Sequence, residues 1–399
     1  MQTSVRVDLL DATGVKQPCQ LRRILYLQYT NPCAYPPLLH SCEILARRGW
    51  EVLLLGRHSL GFETSRPPDF PGVRFQYLPY YASGWKQKLQ YLWFSLWCLW
   101  WARRYRPAWI YASDLSSCLP ALLVHTLWGT RIIYHEHDSP APAGEKGRLS
   151  LSARIFLWAR RKIAGIAQFC IIPNEKRVEA FRAQTGTARE VKVVWNTPLR
   201  NEVSPPKAPA QGRLKLLYHG SIGPARLPLA VIHALKKIGY PVTLRVAGYE
   251  TLSSLGYVAQ LERTARELGI GECLEFVGFL PQRSDLMDHC QSCDVGLALV
   301  PQSVRDPNLV HLFGASNKAF DYMSAGLALL IPQMPGWEAL LPYGVACDPL
   351  DADSIAAGIR YYCENPAQMR AMGERGRQRI LEQWNYEKDF GPVLDVMES

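Results

Sequence analysis

At 399 residues the chain is too long for one ordinary hydrophobic core and implies two or three domains. Hydrophobic residues make up 48% and charged residues 20%, a balance that excludes wholesale disorder and collagen-like repetition. The net charge of +10 is uneven: residues 1–200 carry 27 basic and 13 acidic side chains, net +14, whereas residues 201–399 carry 18 and 22, net −4, so the halves are expected to meet different partners.

Met1–Gln20 holds no apolar run ahead of a small-residue cleavage site, so no secretory signal is expected. Strand-like runs follow at Ile24–Gln28, Val52–Leu55, Trp109–Ala112, Arg131–His135, Phe169–Ile172 and Val191–Trp195. Helix-length segments lie between several of them, at Leu38–Arg48, Trp85–Arg103, Ser150–Ala164 and Glu175–Ala183. Apolar strands joined by helices require crossovers, hence a largely parallel sheet covered on both faces. Gly49 marks a helix end just before a strand.

The longest apolar stretch, Leu89–Ala102, is shorter than a membrane span. Within it Trp93, Trp97, Trp100 and Trp101 fall on one helical stripe and Leu92, Leu96 and Leu99 on the next, with Arg103, Arg104 and Arg106 after and Lys86 and Lys88 before. Two readings stay open: a helix lying on an anionic membrane surface, or a helix buried on the sheet with core tryptophans. Nucleic acid is not expected as a partner, since no aromatic-basic platform or groove-reading motif occurs.

Asn196–Arg213 contains four prolines and few apolar residues and reads as a linker. The expected division is a first domain at 1–196, the linker at 197–213, a second domain at 214–380, and a terminal helix at 381–399 crossing back. Strands resume at Leu214–Tyr218, Thr243–Ala247, Leu274–Val277, Val295–Val300 and Leu327–Ile331. The expected fold class is therefore α/β, two tandem Rossmann-like domains with the ligand site in the cleft between them. No G-x-G-x-x-G follows a first strand, which argues against a nicotinamide or flavin cofactor. The eleven cysteines lie scattered, as reduced thiols of a cytoplasmic protein do. Cys290 and Cys293, with His289 beside them, lack a second ligand pair, so helix-to-strand packing is a plainer reading than zinc or redox chemistry.

Two segments of the second half carry chemistry. His219-Gly220-Ser221-Ile222-Gly223 is expected to turn after a strand and bring backbone N–H groups close to a diphosphate, with Arg226 adding a planar donor fork. The alternative is a tight turn with a solvated arginine. Ser316-Asn317-Lys318-Ala319-Phe320-Asp321 opens a helix capped by Ser316, placing Lys318 and Asp321 on one face. A cation for phosphate and a carboxylate for the two ribose hydroxyls suit a nucleotide; the alternative is an ordinary ion pair three residues apart.

Taken in order, YHGSIGPARL, LRVAGYE, LEFVGFLPQRSDLMDHCQSCDVGLALVP, SNKAFDYMSAGLALLIP and PGWEALLPYGVACDPLDADSIAAGI resemble the donor-binding domain of family 4 glycosyltransferases, which have the GT-B fold. The resemblance implies that Arg226 and Lys318 contact the diphosphate of a nucleotide sugar, with Gly220, Ser221, Ser316 and Asn317 around it. It further implies that Asp321 holds the ribose and that the backbone at Gly278, Phe279 and Leu280 holds the base. Many members carry another acid eight positions before the ribose carboxylate, where this chain has Phe313. More loosely, NPCAYPPLLHSCEILARRGWEVLLLG, IIYHEHDSP and VKVVWNTP resemble the acceptor domain, which implies acceptor-side roles for Pro32 and Ala34 and places His137 in the cleft. His135 and His137 also admit a metal reading that the fold does not usually use. Gln383–Glu387 is similar to the family's last helical segment.

The expectation is a cytoplasmic glycosyltransferase, peripheral on the inner face of the membrane. It would move a hexose-type residue from a nucleotide-diphosphate sugar to a lipid-linked or envelope glycan, with retention, and without a metal or other cofactor. The rivals are a non-catalytic subunit of the same fold and a sugar-nucleotide epimerase.

Overall fold

The computed structural model describes residues 22–59, 65–82, 84–140, 150–207, 212–300 and 307–399; the expectation about Met1–Gln20 lies outside them. Two parallel sheets organise the chain. The first has seven strands: β1 (Arg23–Leu27), β2 (Glu51–Arg57), β3 (Val73–Leu78), β4 (Trp109–Ser113), β5 (Arg131–His135), β6 (Phe169–Ile172) and β7 (Glu190–Val193), in the order β3-β2-β1-β4-β5-β6-β7. The second has six: β8 (Leu214–Ile222), β9 (Val242–Glu250), β10 (Leu274–Gly278), β11 (Val295–Leu297), β12 (Ala328–Pro332) and β13 (Gly344–Cys347), in the order β10-β9-β8-β11-β12-β13. Central strands such as β1, β4, β6 and β12 are buried almost end to end, which explains why they read as unbroken apolar runs.

Helices α1 (Pro36–Arg47), α2 (Trp85–Tyr105), α3 (Cys118–Trp128), α4 (Leu151–Ile166) and α5 (Val178–Thr185) serve the first sheet. The second carries α6 (Ala230–Lys237), α7 (Tyr257–Glu267), α8 (Arg283–Gln291), α9 (Pro307–Val310), α10 (Asn317–Ser324), α11 (Ala352–Glu364) and α12 (Pro366–Glu382). Gly49 takes φ +79 just after α1, as the end of that helix demands. The edge strands β3 and β13 and helix α3 were not expected. V-R-F-Q-Y-L alternates with period 2, a signal that was there to be read in β3.

The chain then returns to its first sheet. Short helices α13 (Tyr386–Asp389) and α14 (Gly391–Glu398) bury Tyr386, Phe390, Val393, Leu394 and Met397 in the core that also holds β1, β2 and β4. The proline-rich connection is docked rather than loose: Ser204 N–H donates to Ser324 O at 3.0 Å, and Tyr386 N–H donates to Pro198 O at 2.9 Å. An aromatic group closes the joint between the sheets, with the Trp195 ring 5.0 Å from Phe313 and 5.7 Å from Trp384.

Candidate active site

The carboxyl ends of the two sheets face a shared cavity of about 390 Å³, the size of a small-molecule site. From the second domain it is lined by Gly220, Ser221, Arg226, Phe279, Leu280, Ser316, Asn317, Lys318 and Asp321. From the first come Ala34, Tyr35, Arg66, His137 and Asp138. Among the expected site residues, Pro32 and Gly278 do not line it. Pro32 packs inward over β2, where a Cβ on Gly56 would lie 3.0 Å from its ring. Gly278 takes φ +80 at a register shift between β10 and β9, and so turns Phe279 and Leu280 into the cavity without entering it.

The glycine-bearing segment differs from expectation. β8 does not stop at Tyr218 but stays paired with β9 through Gly220–Gly248, Ser221–Tyr249 and Ile222–Glu250. The cause is a second glycine: a Cβ at Gly248 would lie 1.9 Å from Gly220 O, so two bare backbones are needed here. The turn comes later, where Arg226 and Leu227 N–H both donate to Gly223 O, and it delivers Arg226 to the cavity. Gly220 itself takes φ +101, with the Lys318 ammonium packed against it, so that an added Cβ would lie 2.9 Å from Nζ.

Ser316 caps α10 by accepting from Lys318 N–H at 3.3 Å. Burial and the nearby Arg226 charge push the Lys318 ammonium down to about 7, with Asp321 pulling the other way. Arg226 and Lys318 thus line one cavity and raise each other's electrostatic cost there, an arrangement suited to a diphosphate. Asp321 is not paired with Lys318. It is 1% exposed and accepts from Arg283 at 2.7 Å, and burial pushes its carboxyl up against the pull of that guanidinium.

On the opposite wall, His137 is buried, and neither ring nitrogen has a hydrogen-bond partner among the described residues. Burial lowers it to about 3, so the ring is neutral. Its ring lies 3.8 Å from that of His135, tilted by 38°, and His135 Nδ1 lies 2.6 Å from the Tyr111 hydroxyl. Asp114, at φ +62 in the left-handed region, accepts from His137 N–H at 2.9 Å and holds the loop in place. Burial and the neighbouring Asp138 push Asp114 up to about 7. Sequence reasoning missed Asp114, Gly248 and Arg283. Only Gly248 carried a readable sign, a glycine inside a strand.

Phe313 lies in the aromatic joint, outside the cavity lining. Cys290, within α8, and Cys293, between α8 and β11, are buried free thiols, and no group of three His, Cys, Asp or Glu among the described residues is arranged to hold a metal. The tryptophan stripe is split: Trp93 and Trp100 are 58% and 54% exposed, whereas Trp97 and Trp101 pack partly against the core of the first domain. The sheet-facing line of α2 runs through Phe94, Cys98, Ala102 and Tyr105, which draws in the two tryptophans beside it.

Two family models match the chain in tandem, a glycosyl transferase 4-like domain over residues 38–197 and a glycosyl transferase-like domain over 230–395. Together they span most of its length. The chain is a family 4-like glycosyltransferase of the GT-B fold.

Solved structures agree with this glycosyltransferase in fold. Sucrose-phosphate synthase from Thermosynechococcus elongatus matches with a TM-score of 0.71 at 16% identity, over 94% of this chain and 98% of that one. Anabaena Alr3699/HepE in complex with UDP-glucose gives 0.70 at 15% over 94% and 99%. The α,α-trehalose-phosphate synthase (UDP-forming) from Burkholderia xenovorans, in complex with glucose-6-phosphate, gives 0.67 at 14% over 94% and 100%. No curated protein sequence matches the chain.

Proposed function

We propose that this glycosyltransferase moves a hexose-type residue from a UDP-sugar to a hydroxyl of a lipid-linked or envelope glycan, with retention of configuration. The observation that carries the donor half is the convergence of Arg226 and Lys318 on one cavity beside the buried carboxylate of Asp321. UDP as carrier is supported by fold relatives whose structures hold UDP or UDP-glucose.

In this reading the bond between the anomeric carbon and the diphosphate breaks, and the electron pair leaves with the nucleoside diphosphate. Arg226, Lys318 and the N-terminus of α10 take up that charge. The acceptor oxygen bonds to the same carbon and passes its proton to an oxygen of the departing diphosphate. His137, neutral and unpaired, offers a hydrogen bond to the donor sugar or the acceptor hydroxyl.

A membrane-bound acceptor is supported by the outer face of α2. Leu89, Leu92, Trp93, Leu96 and Trp100 are all at least half exposed, and exposed Arg103 and Arg104 follow. Helices α2, α3 and α4 contain no Asp or Glu. No helix among the described residues is long and apolar enough to cross a membrane, so docking would be interfacial.

The test is release of UDP from UDP-sugars by the purified protein. Arg226→Ala should lower turnover by about 100-fold, the usual cost of one such electrostatic donor. Near-normal turnover would remove the role. Binding of UDP without any turnover favours a non-catalytic subunit, and isomerisation of the free sugar nucleotide favours an epimerase.

A further inference from the structure

The carboxylate assigned to the ribose is part of a longer chain of buried charge. Arg283, the first residue of α8, donates from Nη2 to Asp321 Oδ1 at 2.7 Å and to Glu202 Oε2 at 3.0 Å, and from Nε to Glu202 Oε1. Glu202 lies in the connection between the domains, where Leu199 N–H donates to its Oε2 at 3.0 Å. The same oxygen is 3.1 Å from Nε2 of His40, which belongs to α1 of the first domain. Burial would raise Glu202, but the charges of Arg283 and His40 hold it well below the usual carboxylate range. His40, Glu202, Arg283 and Asp321 thus run from one domain, through the connection, into the cleft.

We propose that Arg283 is a positioning residue that fixes Asp321 for the ribose and is itself anchored by Glu202; this rests on the nucleotide reading above. The bidentate contact with Glu202 locks the planar guanidinium, which then takes one oxygen of Asp321. The other, Oδ2, is buried with no hydrogen-bond partner among the described residues, 3.5 Å from His219 Nε2. That oxygen is the acceptor left for a ribose hydroxyl. Without Arg283, Asp321 would be an uncompensated buried carboxylate and would take up a proton.

The experiment measures, by calorimetry on the full chain, the affinity for UDP divided by that for 2′-deoxy-UDP. The wild type is expected to prefer UDP by roughly tenfold, as a hydrogen bond to a charged group does. Arg283→Met should bring the ratio close to one while the diphosphate still binds through Arg226 and Lys318. Arg283→Lys should restore part of it, and Glu202→Gln should give an intermediate ratio. A wild-type ratio in Arg283→Met overturns the proposal. If that variant does not fold, an unchanged ratio in both Arg283→Lys and Glu202→Gln overturns it equally. A wild type that binds UDP and its deoxy form alike overturns it while leaving nucleotide binding intact. A wild type that binds no UDP overturns the nucleotide reading, and this one with it.

Discussion

Lys318 is neutral or charged according to what shares its cavity. With its ammonium pushed down to about 7 by burial and the Arg226 charge, the charged form prevails below that pH and is lost above it. A diphosphate favours the charged form, so binding above neutrality must draw in a proton. From about pH 7.5 to about pH 9, beyond the second ionisation of a terminal phosphate, UDP affinity is expected to fall by up to about tenfold per unit. Lys318→Met should flatten that slope, and a wild-type profile with no slope would contradict the assignment. Gly248 makes a different residue-scale prediction. Because a Cβ there meets the Gly220 carbonyl at 1.9 Å, and backbone cannot swing aside as a side chain can, Gly248→Ala should destabilise by about 1–3 kcal/mol. Nucleotide affinity should fall with it, read by melting and calorimetry on the same sample. The cations and the carboxylate of the site were legible in the sequence because a capped helix and a glycine after a strand are local signals. Arg283 was not: its partners are residues 202 and 321, and no local spacing expresses that contact.

Helix α2 shows how one sequence stripe can serve two surroundings. Periodicity grouped Trp93, Trp97, Trp100 and Trp101 together, but the helix's rotation on the sheet turned two outward and two partly inward. The outward face continues onto its neighbours, where Leu127 is 59%, Trp128 42%, Leu151 72% and Trp158 50% exposed. Exposed apolar side chains on neighbouring helices, with exposed arginines after α2, would suit an anionic bilayer, each nearby Lys or Arg adding about 1 kcal/mol of attraction. The protein is therefore expected to sediment with phosphatidylglycerol vesicles at low salt and to be released at high salt. A Trp93→Ser, Trp100→Ser double variant should bind at least about tenfold more weakly. Equal binding of both proteins would assign the face to something other than lipid. Strand β8 likewise outran its local pattern: the turn expected after Tyr218 is delayed to Gly223 because β9 supplies a matching glycine.

At the scale of the molecule, the two sheets are joined by the return of the C-terminus as well as by the proline-rich connection. Phe390 is fully buried in the core of the first sheet although it lies more than 190 residues beyond the last strand of that sheet. Phe390→Ala is expected to cost about 3–5 kcal/mol, lowering the melting of the first domain. Saturating UDP, by contrast, should raise the melting of the second, by about 2.7 kcal/mol of added stability at 100 times Kd. A melting temperature unmoved by the substitution would mean that the terminal helices do not support the first domain.

By itself the sequence determined the two alternating α/β halves and the apolar centre of each sheet, and it singled out Arg226, Lys318 and Asp321 as candidates for a nucleotide. The halves and sheet centres follow from periodicity, and the candidates from helix capping and glycine placement together with the resemblance of five segments taken in order. Only the tertiary structure decided which side of α2 faces outward, that Phe313 belongs to the joint and not to the cavity lining, and that Asp321 answers to Arg283 rather than to Lys318. The physical reason is the same in each case: burial and charge pairing depend on which distant segments come to share a low-dielectric space, and chain spacing carries no record of that.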